Sequence, residues 1–149
     1  MCGFTAIVTK GEISSDDMAR LKVAADHMRY RGPDEFGVWS DARVAMSHVR
    51  LSIIGLQNGH QPIVSADGAL VLICNGEIYN HRELRGILEA KGHVFKTLSD
   101  SEVIIHSYVE YGVEFLSHIK GMFAFLLYDT RNGSVFAVRD ASGKKPLYY

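Results

Sequence analysis

The sequence contains few cysteines and few prolines, and it has no long hydrophobic run. Only two of its 149 residues are cysteine and three are proline, so a disulfide framework is excluded as the basis of the fold. Apolar runs such as 122–128 are far shorter than the roughly 20 residues of a membrane-spanning helix. No basic segment followed by an apolar one, typical of a secretory signal, is visible near residue 1. We therefore expect a cytoplasmic location with reduced thiols.

Charge and histidine spacing exclude further classes of protein. The formal net charge is −1, which gives no electrostatic support for binding to nucleic acid or to an anionic membrane. The seven histidines form no H-x-x-x-H pair and no cluster with cysteine, so we expect no metal site. The length and the hydrophobic content of 47% fit one globular domain with a substantial core.

The hydrophobic pattern predicts an α+β domain with mostly antiparallel strands covered by helices. The predicted order is roughly β-α-β-β-β-α-β-α-β-β, and Arg131-Asn132-Gly133 predicts a hairpin turn. Residues 145–149 resemble the start of another strand. Predicted strands cover 4–9, 36–39, 42–54, 69–74, 122–128 and 135–139, and predicted helices begin at caps Ser14 or Ser15, at Asn80 with Glu83, and at Ser99 with Glu102.

The cysteine at position 2 is the most informative residue. If the initiator methionine is removed, Cys2 becomes the N-terminal residue and carries both a thiol and a free α-amine. An α-amine has an ordinary pKa of about 7.7–8.0, so it can act as general base for the adjacent thiol. Its position also fits a chance cysteine after the start codon, so a nucleophilic role depends on the rest of the chain.

Other residues could assist an attack on an amide, which needs oxyanion donors and groups that orient the substrate. Asn75-Gly76 offers an amide side chain and a glycine N–H, although Asn-Gly is also a strong hairpin signal. Arg50 could bind a carboxylate, or lie as a solvated strand end. Glu77 and Asp100 could bind an ammonium group, or serve as acidic residues at helix N-termini.

Several motifs in one order resemble the glutamine-hydrolysing domain of asparagine synthetases, a class II glutamine amidotransferase of the N-terminal-nucleophile hydrolase fold. Each motif is weak alone, but the ordered set after a cysteine at position 2 is highly specific. The string at 75–80 is similar to the asparagine synthetase branch rather than to the sugar-phosphate or phosphoribosyl branches. The motifs are Cys2-Gly3, Arg31-Gly32-Pro33-Asp34, 48–53, Gln61-Pro62, 75–80, 99–102, Arg139-Asp140, Gly143 and 145–149.

This resemblance implies a four-layer αββα sandwich and a role for each site residue. Cys2 would attack the side-chain carboxamide of L-glutamine, with its α-amine as base. Asn75 and the Gly76 N–H would form the oxyanion hole, and Arg50 would bind the glutamine carboxylate. The remaining implied substrate contacts are Glu77 and Asp100 at the amino group, and Leu51, Ile53 and Ile54 along the pocket wall.

The resemblance also implies what accompanies this domain. The family domain continues past 145–149 and is followed by an ATP-dependent synthetase domain. We therefore expect 1–149 to be a glutamine amidotransferase type II domain that is incomplete at its C-terminal end. ATP and Mg²⁺ would bind only to the absent synthetase domain, so no cofactor is expected here. The expected partners are L-glutamine and a synthetase domain or subunit that accepts ammonia, and a homodimer is left open.

Two alternatives remain at this point. The chain could be a non-catalytic module that binds glutamine or a partner, because a retained Met1 would convert the proposed base into an amide. It could also be the same glutaminase serving a different amide-forming synthetase. Three departures from the family pattern, Tyr30 for His, Ser101 for Thr and Ser142 for Phe, involve no proposed chemical group, and we interpret them as packing changes.

Overall fold

The structure is a computed structural model that describes residues 1–52 and 59–149. Its first half contains β1 (Gly3–Val8), α1 (Ser15–Met28), β2 (Glu35–Ser40), β3 (Val44–Arg50) and β4 (Ile63–Val64). The second half contains β5 (Leu70–Ile78), α2 (His81–Ala90), α3 (Glu102–Tyr111), a 3₁₀ helix (Gly112–His118), β6 (Gly121–Asp129) and β7 (Ser134–Arg139).

Two antiparallel sheets form the middle of the molecule. One has the strand order β1-β3-β2 and the other has the order β4-β5-β6-β7. Helix α1 packs on β1 and β3, and α3 packs on β5 and on α2. The layers therefore run α1, first sheet, second sheet, then α2 with α3. This arrangement confirms the expected α+β fold and the four-layer αββα sandwich.

The layer between the two sheets is built by alternation along the strands. Val44 and Met46 on β3 pack against Val71 and Ile73 on β5. The same alternation carries His48 and Arg50 of β3 to that face, because successive side chains of a strand point to opposite sides. His48 lies fully buried, and its Nε2 is 3.0 Å from the carbonyl oxygen of Cys74 on β5. Polar residues thus enter this layer at the ends of β3 and β5.

The layer between the second sheet and its helices is mainly apolar. Phe115 of the 3₁₀ helix is fully buried and contacts the rings of Phe125, Tyr108 and Phe136. Leucine and isoleucine side chains of α2 and α3 complete this core. This layer supplies most of the large apolar side chains that the fold buries.

Strand β5 is longer than the sequence predicted. It continues through Asn75 and Gly76 to Ile78, because β6 pairs with it along its whole length, from Leu70↔Asp129 to Ile78↔Gly121. The prediction that the strand ends at Cys74 was therefore wrong, and so was the hairpin interpretation of Asn75-Gly76. A strand's extent depends on its partner, which local composition does not show.

Other element predictions were corrected as well. The predicted element order placed a strand between α2 and α3, but the structure has none there. Residues 145–149, which resembled the start of a strand, form no strand either. The short strand β4 was not predicted. The predicted Ser14 cap is present as a capping box with Asp17, but the proposed box of Ser99 with Glu102 is not. Instead, Glu102 accepts hydrogen bonds from the backbone of Lys96 and Thr97.

The predicted cap at Asn80 has a different role. Asn80 is the N-cap residue of α2 without a side-chain capping bond to that helix. Its side chain instead donates to the carbonyl of His118 and accepts from the N–H of Lys120. Asn80 thus ties the start of α2 to the chain that enters β6.

Candidate active site

The N-terminal residues are held in place by the segment Arg31-Gly32-Pro33-Asp34. The Met1 amine donates to the Arg31 carbonyl at 2.9 Å, and Arg31 Nε donates to the Cys2 carbonyl at 3.2 Å. Glycine is required at position 32, because a Cβ there would lie 2.4 Å from the Val49 carbonyl carbon. This close approach places Cys2 beside the end of β3.

The thiol of Cys2 lies against the backbone that follows β3. The Leu51 N–H points at the Cys2 Sγ, with an N–S distance of 3.4 Å, and the Leu51 carbonyl oxygen is 3.6 Å from the same sulfur. The N–H and the carbonyl of Leu51 thus both contact the sulfur and fix its position beside the end of β3. Ser52 is fixed in turn by its N–H bond to Asp34 Oδ2, at 2.8 Å.

Asn75 and Gly76 lie near the end of β5, with Asn75 on the face toward the first sheet. A Cβ at position 76 would meet the Met122 carbonyl oxygen at 2.1 Å, so only glycine allows β5 and β6 to approach this closely. Asn75 is 7% exposed. In the described part of the chain, its side-chain amide is assigned no hydrogen bond, so its N–H groups are available to a ligand.

Gln61 holds β5 just before Asn75, a contact that sequence reasoning missed. Its Nε2 donates to the Cys74 carbonyl at 3.0 Å, and its Oε1 accepts from the Cys74 N–H at 2.6 Å. The amide side chain thus pairs with the backbone as a neighbouring strand would. Gln61-Pro62 was recognised as a motif, but nothing local in the sequence pointed to Cys74 as its partner.

Arg50 is buried at the end of β3 and is paired with a carboxylate. Its Nη1 lies 2.8 Å from Glu35 Oε1, and the other Glu35 oxygen lies 2.8 Å from His60 Nδ1. Burial would raise the pKa of Glu35, but the hydrogen bonds from His60 and Arg50 hold the pKa below its ordinary value. Arg50 is only 4% exposed, so it is not the solvated strand end considered above.

Asp100 is buried near the end of β5. Its Oδ2 accepts the N–H of Ile78 at 2.7 Å, and this bond fixes the loop before α3 to the strand. Burial raises the pKa of Asp100 despite that hydrogen bond. Asp100 therefore differs from the surface helix-end carboxylate that the alternative interpretation described.

Most of the candidate site residues line one cavity of about 70 Å³. Sequence analysis had identified seven of its lining residues, while Ile53 and Ile54 lie outside the described residues. Lys145 also lines it and was given no role, although it belongs to a recognised motif; its Nζ lies 3.7 Å from the Met1 sulfur. The seven are Cys2, Arg50, Leu51, Asn75, Gly76, Glu77 and Asp100.

The charges around the cavity have opposite signs. Arg50 and Lys145 are cationic, whereas Glu77 and Asp100 are acidic. A small zwitterion, with one carboxylate and one ammonium group, matches such a lining. A thiol, an amide side chain and charges of both signs in one cavity are the components that acyl transfer from an amino-acid side chain needs.

The second cysteine, Cys74, also lines this cavity, but its side chain is buried. Cys74 and Cys2 are both free thiols, and burial raises the pKa of Cys74 to about 12. Among residues 1–52 and 59–149, no group of three or more metal-binding side chains is suited to hold an ion. None of the helices in those ranges has the length and apolar character needed to cross a membrane.

Comparison with known proteins identifies the family. All of residues 1–149 match the family described as "Glutamine amidotransferase domain". The chain belongs to this family. It is 44% identical over 151 aligned positions to asparagine synthetase [glutamine-hydrolyzing] 2 of Bacillus subtilis (strain 168), which covers 100% of this chain and 20% of that protein. It is 45% identical to the asparagine synthetase [glutamine-hydrolyzing] of Zea mays, covering 99% of this chain and 25% of the relative.

A solved structure gives the same result for the fold. The glutamine phosphoribosylpyrophosphate amidotransferase of B. subtilis, complexed with ADP and GMP, superposes with a TM-score of 0.77 at 24% identity, covering 96% of this chain and 38% of that one. The expected fold and family are thus confirmed. This glutamine amidotransferase domain spans only a fifth to a quarter of the asparagine synthetases named above.

Proposed function

We propose that this glutamine amidotransferase domain hydrolyses the side-chain amide of L-glutamine to glutamate and ammonia, with Cys2 as nucleophile. The observation that carries the proposal is the shared cavity, which is lined by Cys2, Asn75 and Arg50. The family and the fold support the same reaction.

The reaction begins with proton transfer from the thiol to the α-amine of Cys2. The thiolate attacks the carboxamide carbon, and the resulting oxyanion accepts hydrogen bonds from Asn75 and from the Gly76 N–H. When the C–N bond breaks, the proton held by the amine passes to the leaving nitrogen, and ammonia departs. Water, activated by the same amine, then hydrolyses the thioester and releases glutamate.

The rest of the cavity binds the amino-acid end of glutamine in this proposal. Arg50 binds the α-carboxylate, Glu77 and Asp100 bind the α-ammonium group, and Leu51 forms part of the wall. Opposite charges placed at the two ends fix the orientation of a zwitterion and bring its side-chain amide to the sulfur. Ile53 and Ile54 are assigned to the wall by the resemblance alone.

Removal of Met1 is part of the proposal. While Met1 is attached, the Cys2 nitrogen belongs to a peptide bond and cannot accept the thiol proton. The Met1 side chain also lines the cavity, so its removal would enlarge the space available to substrate. A chain that begins at Cys2 is therefore the active form.

The ammonia acceptor is proposed from the relatives. Residues 1–149 would act as a type II glutamine amidotransferase domain that supplies ammonia to a synthetase domain or subunit in the cytoplasm, for an amidation like that of asparagine synthetase. ATP and Mg²⁺ would bind to that partner rather than to this domain. Co-purification of the domain with a different amide-forming synthetase would change the acceptor but not the glutaminase chemistry.

The test is covalent labelling and glutamate release by a chain that begins at Cys2. We expect an electrophilic glutamine analogue to add once, at Cys2, in the intact-mass spectrum. Cys2→Ala should abolish both labelling and glutamate release, whereas Cys74→Ala serves as the matched thiol control and should retain both. Glutamate release by Cys2→Ala would show that the nucleophile is assigned wrongly. Glutamine binding without turnover in the processed chain would favour the non-catalytic module.

A further inference from the structure

We propose that Glu35 is a positioning residue that orients the Arg50 guanidinium and thereby determines the preference for substrates with an α-carboxylate. The inference rests on the proposed function, in which Arg50 binds that carboxylate. Glu35 does not line the cavity, so it would act through Arg50 rather than by touching substrate.

The two residues face each other across neighbouring strands. Glu35 and Arg50 are direct partners in the antiparallel pairing of β2 with β3, and directly opposed side chains lie on the same face of a sheet. The backbone reinforces this register, because the Asp34 N–H donates to the Arg50 carbonyl at 3.0 Å. The main-chain pairing thus places the two side chains opposite each other, where Glu35 Oε1 lies 2.8 Å from Arg50 Nη1.

Glu35 is itself held on both of its oxygens. While Oε1 accepts from Arg50, Oε2 lies 2.8 Å from Nδ1 of His60, whose side chain is largely exposed. A carboxylate bonded on both oxygens has little rotational freedom. It can therefore fix the direction in which its arginine partner points.

The guanidinium makes this contact effective. It is planar, and its five N–H donors have fixed directions. A hydrogen bond at one Nη therefore determines where the other donors of the same plane are directed. Loss of Glu35 should thus weaken recognition of the substrate carboxylate specifically.

The experiment compares two ligands that differ only at the α-carboxylate. L-Glutamine and L-glutaminamide, whose α-carboxylate is replaced by a carboxamide, are titrated calorimetrically into the Cys2→Ala protein, which cannot turn them over. We expect Glu35→Gln to weaken glutamine binding about 10- to 30-fold, the lower part of the range for hydrogen bonds to charged groups, because the lost contact acts through Arg50. Glutaminamide binding should change less than twofold. Glu12→Gln, at an exposed glutamate, is the matched control and should change neither.

Kinetics in the chain that begins at Cys2 provide the second measurement. Glu35→Gln should raise KM for glutamine by the same factor and leave kcat within about twofold. Equal weakening of both ligands would indicate a general structural effect and overturn the proposal, as would unchanged or tighter glutamine binding. If Glu35→Gln does not fold, His60→Ala replaces it: we expect the discrimination between the ligands to fall about threefold, and unchanged discrimination overturns the proposal.

Because the calorimetric experiment measures binding without turnover, it separates this inference from the proposed function. Selective glutamine binding that depends on Glu35, in a protein whose processed wild type releases no glutamate, would support the inference and overturn the glutaminase proposal. Glutamate release together with Glu35-independent discrimination would do the reverse. Absence of any glutamine binding would overturn both.

Discussion

The two core layers on either side of β5 have different compositions. Leu70 and Leu72 point toward α2 and α3, where the partners are aromatic and aliphatic side chains. Val71 and Ile73 point toward the first sheet, and the next inward residue on β5 is Asn75. One strand therefore contributes to a mainly apolar layer on one face and to a layer that ends in the candidate active site on the other. The difference separates residues that mainly stabilise the fold from residues that line the candidate active site.

Burial of polar side chains in the inter-sheet layer requires specific partners. The Nε2 of His48 is paired with the Cys74 carbonyl and Arg50 with Glu35, because a buried polar group without a hydrogen bond destabilises the fold. The Nδ1 of His48 is buried with no partner among the described residues. Asn75 has no such assigned bond in the described ranges. Asn75 lines the cavity and its amide atoms are not among the fully buried polar atoms without a partner, so the amide is accessible from the candidate active site.

The largest expected effect comes from the apolar layer. Phe115→Ala should lower the free energy of unfolding by about 3–5 kcal/mol, because it removes a fully buried ring and leaves a cavity. Urea denaturation measures this change, and glutamate release per folded molecule should stay within about twofold. Val113→Ala, at an exposed neighbour in the same 3₁₀ helix, is the control and should be nearly neutral. A large loss of activity at unchanged stability would remove the distinction between the layers.

The opposite result is expected at the end of the inter-sheet layer. Asn75→Ala should lower kcat by about 10²–10³-fold through loss of an oxyanion donor. Its free energy of unfolding should change little, since the side chain has no assigned protein partner. Steady-state glutamate release and urea denaturation, measured on the same preparation, test both statements. Full activity in Asn75→Ala would assign the oxyanion hole to other donors.

A smaller effect is expected for the pH dependence of stability, which a buried histidine of the inter-sheet layer influences. Burial lowers the pKa of His48 to about 4, whereas an unfolded histidine has a pKa of about 6.5. As pH falls from 7.5 to 5, the unfolded chain binds a proton at this residue and the folded chain does not, so stability is lost. This contribution is on the order of 2 kcal/mol.

His48→Gln should reduce that loss, since glutamine can donate to the Cys74 carbonyl but does not titrate. Urea denaturation at pH 7.5 and pH 5 measures the difference. His27→Gln, at an exposed residue of α1, should retain the wild-type pH dependence. If His48→Gln leaves the pH dependence of stability unchanged, His48 is not neutral in the folded protein at pH 5.

Local sequence signals predicted the features that depend on near neighbours. The alternation in 42–54 anticipated that Val44, Met46 and His48 share a face, and Ser14 was identified as a helix cap. The hairpin at Arg131-Asn132-Gly133 connects β6 with β7 as expected. In each case the decisive interactions join residues close in the chain, so composition and spacing carry the information.

The errors arose where a distant partner decides the outcome. Strand β5 extends to Ile78 because β6 pairs with it there, and Glu102 binds the 96–97 backbone rather than completing a box with Ser99. A capping motif is a local preference, and a better set of donors elsewhere overrides it.

The sequence alone determined which residues could perform the chemistry, because a cysteine at position 2 and the ordered motifs specify residue types and positions along the chain. Only the tertiary structure decided which of them meet and what holds them. Gly76 leaves room for the Met122 carbonyl, Gln61 forms hydrogen bonds with the Cys74 backbone, and Glu35 forms an ion pair with the Arg50 guanidinium. These partners are 13 to 46 positions apart, so only the pairing of strands within each sheet brings them within hydrogen-bonding or van der Waals distance.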